Sequence, residues 1–228
     1  MAQYKAWEKE YRDSKLVTKY SEPQKFILRF FKYLKKSEGI VLKNLNVLDL
    51  GSGTGRNANY LAQEGSRVVG IEISNTAIDI AKKRAKQLNI GVKYLPGNIG
   101  EHFPLNDKSI DLVLDATSSN SLNARERDIY LDEVNRVLRS GGYFFVRALC
   151  RDGDKNAKKL IKINPGMEKD TYVMPEVELI ERVWTRTDFV DYYSKYFKII
   201  KLVKEISYTR FNNRRYKRNF WVAYLRKE

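Results

Sequence analysis

The chain of 228 residues has one cysteine, Cys150, one histidine, His102, and only five prolines. A single cysteine excludes an intrachain disulfide and suits a reducing compartment. With so little proline, and with no internal repeat, low-complexity tract or Gly/Ser/Pro-rich linker, nothing in the sequence marks two tethered modules. Long apolar runs are missing too. None approaches the roughly 20 residues that span a bilayer, and the greasiest early piece, "FILRFF" (26–31), is interrupted by Arg29. The first residues lack the charged-then-apolar pattern and cleavage site of a secretory leader. These absences predict a cytoplasmic chain with no membrane span. Acid is also in deficit, with 28 Asp and Glu against 43 Lys and Arg, a formal charge of +15. Such a surplus attracts nucleic acid, phosphorylated metabolites or anionic lipid. Its bland counterpart is a solvated, lysine-rich surface.

What is present is an ordinary globular composition, 43% hydrophobic and 31% charged, in a chain long enough for one proper core. Strand-like and helix-like segments alternate, which predicts an α/β fold with a mostly parallel sheet. "YKAWEKEYRD" and "SEPQKFILRFFKYLKK" read as amphipathic helices, the second with Ser21 as N-cap, Pro23 in its first turn and Gly39 as its stop. Strands follow at 45–50, 67–72, "VKYLP", 109–115 and 143–149, with helices between them. Residues 150–184 form a charged insertion of uncertain structure. "TRTDFVDYYSKY" resumes as a helix. Segments 197–208 and 219–227 are too close for a crossover helix and predict an antiparallel hairpin.

The chemistry centres on "VLDLGSGTGRNANYLA" (47–62). A strand feeding a glycine-rich turn and then a helix makes a cradle at the helix N-terminus. Gly51, Gly53 and Gly55 remove side chains where a ligand approaches the backbone. Glu72, 21 residues past Gly51 and at the end of the next strand, suits ribose hydroxyls, which donate to a carboxylate. A dinucleotide loop asks for G-x-G-x-x-G. Here Arg56 stands where the third glycine belongs, and Asp49 precedes the loop. A carboxylate there repels a pyrophosphate and attracts a cationic ligand. A cationic, ribose-bearing ligand is S-adenosylmethionine.

With these segments in order, "VLDLGSGTGRNANYLA", "VVGIEIS", "GNIGEHFPLNDKSIDLVLD" and "YLDEVNRVLRSGGYFFV", the sequence resembles the class I S-adenosylmethionine-dependent methyltransferase family over most of residues 40–228. The resemblance implies a Rossmann-like doubly wound seven-stranded sheet, mostly parallel, with an antiparallel strand in a C-terminal hairpin. It implies a methyltransferase domain at 41–228, with 150–184 inserted on the substrate side and 1–40 as a helical N-terminal cap or lid, all in one structural domain. It also implies S-adenosylmethionine as cofactor and no metal. Carried over by position, Gly51, Ser52, Gly53, Gly55 and Asn57 belong to the cofactor loop. Asp49 meets the methionine moiety directly or through water, Glu72 the ribose, Ile73 the adenine, and Asn98 and Ile99 the adenine edge and face. The family usually has an acid at the Asn98 position, and Asn still offers a carbonyl. Asp115 is placed near the methionine end and the acceptor, as a catalytic candidate.

The acceptor is the less readable half. After the fourth strand the chain reads "DATSSNSLN", without the Asn/Asp-Pro-Pro-aromatic run that accompanies base and glutamine amino acceptors in the family. Substrate-side candidates are Thr117, Tyr11, Arg147, Arg210 and Arg214. His102 lies between the third and fourth strands, away from the family's acceptor pocket, and Cys150 reads as a packed thiol rather than a nucleophile. The expected reaction is methyl transfer by direct displacement to a small, polar or anionic molecule. One alternative is RNA or protein methylation by the basic, aromatic-interleaved face at 208–220. Another is a binding module that holds the cofactor without turnover.

Overall fold

The computed structural model describes residues 3–13, 20–211 and 214–228, with the side chains of 209–211 and 214 also outside the description. Five strands run parallel: β1 (Asn46–Leu50), β2 (Arg67–Glu72), β3 (Val92–Pro96), β4 (Ile110–Ala116) and β5 (Leu138–Leu149). The sheet is completed by β8 (Phe197–Phe211) and β9 (Arg214–Lys227) in the order β3-β2-β1-β4-β5-β9-β8. β9 is antiparallel to both neighbours, which makes the C-terminal hairpin the sequence requires. From β1 the chain winds outward to β3 and then crosses back to β4. The carboxyl ends of β1 and β4 therefore flank the topological switch point, where open α/β sheets bind ligands.

Helices cover both faces. On β5 the alternation of side chains divides the core: Phe144, Val146 and Ala148 face the layer of α5 (Ala124–Val137) and α7 (Arg186–Tyr193). Tyr143 and Phe145 face the layer of α2 (Lys25–Ser37), α3 (Arg56–Gln63) and α4 (Asn75–Gln87). Arg147 and Leu149 continue that second face to the strand's carboxyl end, where they meet a cavity. In α2, Ile27, Phe30, Phe31 and Leu34 are buried at helical spacing. The Phe30 ring lies 4.7 Å from Tyr224 and 5.2 Å from Phe145. The first forty residues thus have two roles: α2 completes the core, while α1 (Tyr4–Arg12) lies over the switch point.

Two local readings are corrected. α2 begins after Gln24, not Ser21, and its N-cap makes no side-chain hydrogen bond; Gly39 does follow the helix in a left-handed conformation. Gln24 is held instead by Asn57, in a reciprocal pair of hydrogen bonds with backbone N–H and side chain. The 150–184 insertion is ordered into α6 (Lys155–Ile163) and a two-stranded hairpin, β6 (Thr171–Met174) with β7 (Leu179–Arg182). No helix among the described residues is long and apolar enough to cross a membrane, and none of their His, Cys, Asp and Glu side chains cluster as metal ligands.

Candidate functional site

The loop after β1 is built from its own backbone. Gly51 and Ser52 N–H groups donate to the Ile71 carbonyl at 2.8 and 3.1 Å. Gly53 N–H donates to Glu72 Oε2 at 2.8 Å, and Ser74 N–H donates to Glu72 Oε1 at 2.9 Å. Glu72 thereby ties the loop to the start of α4 while still facing the cavity. Burial raises its pKa, opposed by these N–H donors. Each carboxylate oxygen has two lone pairs, so acceptor capacity remains on the cavity side. Gly53 has φ +54°, and a Cβ there would stand 2.7 Å from the Tyr11 hydroxyl. Gly55 has φ +79°, and a Cβ there would meet the Tyr94 hydroxyl at 2.3 Å and Ala81 Cβ at 2.9 Å. Gly55 therefore serves the packing of α4 and β3 under the loop and does not line the cavity.

One continuous cavity of about 500 Å³ runs from the ends of β2 and β3 across the loop to the ends of β4, β5 and β9. At its first end stand Glu72, Ile73, Asn98 and Ile99, then Gly51, Ser52, Gly53 and Asn57. Thr117, Tyr11 and Arg147 line it as well. The Arg210 and Arg214 side chains lie outside the described residues. Asn98 Oδ1 already accepts from Gly100 N–H at 2.9 Å, and its Nδ2 donates to Glu126 Oε1 at 3.0 Å. Glu126, the capping-box residue of α5, also reaches the cavity and was not singled out in the sequence.

Asp49 and Asp115 do not line the cavity. Asp49 is buried beneath the loop, and its Oδ2 has no hydrogen-bond partner, as is also true of Ser52 Oγ. Burial pushes the Asp49 carboxyl up to about 7, partly opposed by the Arg56 charge. Asp115 holds structure. Its Oδ1 accepts from Ser118 and Ser119 N–H at 2.7 and 3.3 Å, and its Oδ2 accepts from Tyr130 Oη at 2.7 Å. It caps the short 3-10 turn Ser118–Ser121 that abuts Gly51. The placement corrects the catalytic expectation for Asp115: the side chain orders the turn after β4 and faces no substrate space.

The lid is explicit. Glu8 of α1 accepts from Ser74 Oγ and Thr76 Oγ1, both at 2.6 Å, at the start of α4. Against the desolvation that raises it, these bonds and Arg12 hold the Glu8 carboxyl down at about 2. At the other end of the cavity, Gln3 donates to the Ser121 carbonyl and accepts from Ile180 N–H. Trp7 packs beside Val177 and Leu179 of the insertion. Tyr11 is raised well above its ordinary pKa by burial and then by Glu72, so it stays a phenol. His102 is exposed and paired with Glu133 at 3.1 Å, outside the cavity. Cys150 is buried in the core, and burial pushes its thiol up to about 12. Neither is placed to act as a base or a nucleophile.

Residues 48–146, from β1 through most of β5, match the model of a methyltransferase domain family. Over that stretch, a little under half of its length, the chain is similar to that family. A fatty-acid O-methyltransferase of Mycolicibacterium smegmatis is 38% identical over 101 residues, 43% of this chain and 35% of that protein. A ubiquinone biosynthesis O-methyltransferase of Vibrio atlanticus is 27% identical over 150 residues, 65% of this chain and 60% of that protein. The chain thus spans between about a third and three fifths of these relatives' lengths. In fold, the chain is similar to the 1,6-didemethyltoxoflavin-N1-methyltransferase of Burkholderia thailandensis, solved with 1,6-didemethyltoxoflavin and S-adenosylhomocysteine. The TM-score is 0.73 at 16% identity, over 99% of this chain and 87% of that one.

Beyond β4 the chain holds polar residues that the motifs do not reveal. Asn120 of the 3-10 turn accepts from Leu149 N–H at 3.0 Å and so locks the turn to β5. On β9, Arg218 is buried, with Tyr172 Oη at 2.6 Å and Asp154 Oδ2 at 3.4 Å. Tyr172 in turn donates to Glu181. Alternation on β9 could have pointed Arg218 inward, but only the tertiary fold brings Asp154 and Tyr172 to it.

Proposed function

We propose that this domain binds S-adenosylmethionine at the loop end of the cavity and transfers its methyl group to a small molecule at the other end. The supporting observation is the continuity of the two halves under one roof, with α1 and the insertion closing over both. Glu72 accepts from the ribose hydroxyls, Ile73 and Ile99 flank the adenine, and Asn98 meets its edge. Ser52, in the wall with its Oγ unpartnered, and the Asp49 carboxylate buried just beneath the loop suit the ligand's ammonium group, Asp49 through its charge, and Gly51 and Gly53 leave room for the ligand to lie on backbone. When bound, the cofactor supplies a methyl group on a sulfonium, already activated for in-line displacement.

The chain's own part is alignment and exclusion of water. No histidine or cysteine lines the cavity among the described residues. The acids of the insertion that line it are Glu176 and Glu181, so the acceptor either arrives with its nucleophilic atom ionised or intrinsically basic, or gives its proton to one of these carboxylates. Both curated relatives are named as O-methyltransferases, and an ionised oxygen is one such atom. The roof formed by α1 and the insertion supports a small acceptor over RNA or protein.

The deciding experiment is transfer of labelled methyl from S-adenosylmethionine to lysate separated into small molecules, RNA and protein. Label in the small-molecule fraction is the expected result. Label in RNA or protein moves the assignment to the basic 208–220 face. Calorimetric binding of S-adenosylmethionine with no transfer to any fraction makes the domain a non-catalytic binding module.

A further inference from the structure

The chain is rich in lysine, yet the wall of the cavity contains three arginines, Arg56, Arg147 and Arg218, and no lysine among the described residues. The surplus charge is therefore mostly elsewhere, and the cations that face the cavity are the planar, fork-shaped kind. Arg218 is matched by Asp154 and Tyr172. Arg147 is equally buried, 7% exposed, and has no such match. Neither Nε makes a hydrogen bond, but Arg218 Nε has the Asp154 carboxylate 3.4 Å away, whereas Arg147 makes no ion pair with any described carboxylate. The carboxylate acting most on it electrostatically is Glu205, which is bonded to Arg29 instead. Two acids of the insertion, Glu176 and Glu181, also line the cavity, and Glu181 is bonded to Tyr172.

What surrounds Arg147 is aromatic and apolar. Its guanidinium sits 3.3 Å from the Phe220 ring centroid and 4.5 Å from that of Phe26. Leu149, Leu160 and Met174 line the same end of the cavity. Two rings hold the guanidinium plane, which keeps its direction fixed but supplies no counter-charge. A buried guanidinium without an anion is costly, and burial followed by the cations Arg56, Arg29 and Arg218 drives its pKa down to about 9.

We propose that Arg147 is the anchor for a carboxylate on the methyl acceptor, and that the acceptor's remaining body is apolar and lies against Phe220, Leu149, Leu160 and Met174. The inference rests on the methyltransferase reading for the word acceptor, but the anion site stands on Arg147 alone. The fork takes both carboxylate oxygens side by side. The planar fork matches a planar carboxylate, with the Phe220 and Phe26 rings against the guanidinium. An oxyanion ion-paired to a guanidinium is a weakened nucleophile. The Arg147 contact therefore positions the acceptor, and the atom that receives the methyl group lies elsewhere on the same molecule.

The test is calorimetric titration of the full chain, with and without S-adenosylhomocysteine, using octanoate, phenylacetate and cinnamate, each against its own primary amide. With S-adenosylhomocysteine present, at least one acid is expected to bind about tenfold to a hundredfold more tightly than its amide, the range of one charge-assisted contact. In Arg147→Leu that preference falls to about one, while S-adenosylhomocysteine affinity and melting temperature hold. Arg147→Lys, which keeps charge but not the fork, retains a smaller preference. The acid-to-amide ratio is read within each variant, so a purely structural role for Arg147 does not move it. Equal binding of acid and amide, an unchanged ratio in Arg147→Leu, or no saturable binding of any acid at millimolar concentration overturns the proposal. If S-adenosylhomocysteine fails to bind but the Arg147-dependent preference persists, the methyltransferase reading falls and the anion site survives.

Discussion

The two ends of the cavity carry buried charge of opposite sign, each with an atom lacking a hydrogen-bond partner. Beneath the loop it is Asp49 Oδ2; at the end of β5 it is Arg147 Nε. Burial moves both groups toward neutrality, the acid up to about 7 and the guanidinium down to about 9. Arg218 is the internal control. It is buried to the same extent, but Tyr172, Glu181 and Asp154 overcome its desolvation and raise its pKa. Burial alone therefore does not separate a structural charge from a binding charge. The presence or absence of a partner on the same protein does.

The sharpest way to break this comparison is to treat the two arginines alike. Arg218→Leu leaves the buried Asp154 carboxylate with its Ala157 and Asn219 N–H donors but without its counter-charge, and is expected to destabilise the fold by about 3 kcal/mol. Arg147→Leu strands nothing and is expected to leave stability unchanged or higher. Denaturant unfolding of the two variants measures the difference. Equal losses would show that Arg147 has a structural partner that its surroundings do not reveal.

The next effect is on the cofactor side. A carboxyl with a folded value near 7 and an ordinary value of 3.8 holds a proton that the unfolded chain has lost, between roughly pH 4 and 7. Its contribution to stability therefore falls as pH rises through that window. A cationic ligand reverses the preference, because it binds the ionised form. Affinity for S-adenosylmethionine is expected to rise about tenfold per unit from pH 5 to 7 and then level off. Adenosine, which lacks the ammonium, is expected to show a flat profile. Asp49→Asn should remove the slope and weaken binding at pH 8 by about tenfold to a hundredfold. A slope that survives in Asp49→Asn assigns the titration to another group.

These two ends were not equally legible. The loop end was readable because local chain geometry makes it: a buried strand, glycines with positive φ and an acid at the next strand's end fix the cradle within 25 or so residues. Even there, the sequence could not show that Gly55 serves helix packing or that Asp49 lies below the wall and not in it. The family resemblance places Asp115 beside the acceptor, whereas Ser118, Ser119 and Tyr130 hold the carboxylate inward. The acceptor end is assembled from α1, β5, α6, β6 and β9, drawn from across the whole chain. Arg147 was marked by its position on the fifth strand. Its isolation from any carboxylate is a tertiary fact, since it depends on Glu205 having gone to Arg29 and Asp154 to Arg218.

The smallest effect concerns the element that touches both ends. α1 is fastened to the loop side by Glu8 on Ser74 and Thr76, and to the acceptor side by Gln3 and Trp7. Its carboxyl is held near 2, below its ordinary 4.5. The fastening is thus intact above about pH 4.5 and is lost as pH falls toward 2. At neutral pH, Glu8→Gln keeps the shape but removes the charge that the Ser74 and Thr76 donors favour. The expected result is a two- to fivefold faster release of S-adenosylhomocysteine, roughly 0.5–1 kcal/mol, with the acid-to-amide ratio at Arg147 unaffected. Stopped-flow displacement reads the first and calorimetry the second. If the variant instead changes the acid preference and leaves cofactor release alone, α1 closes over the acceptor end only, and the two ends open independently.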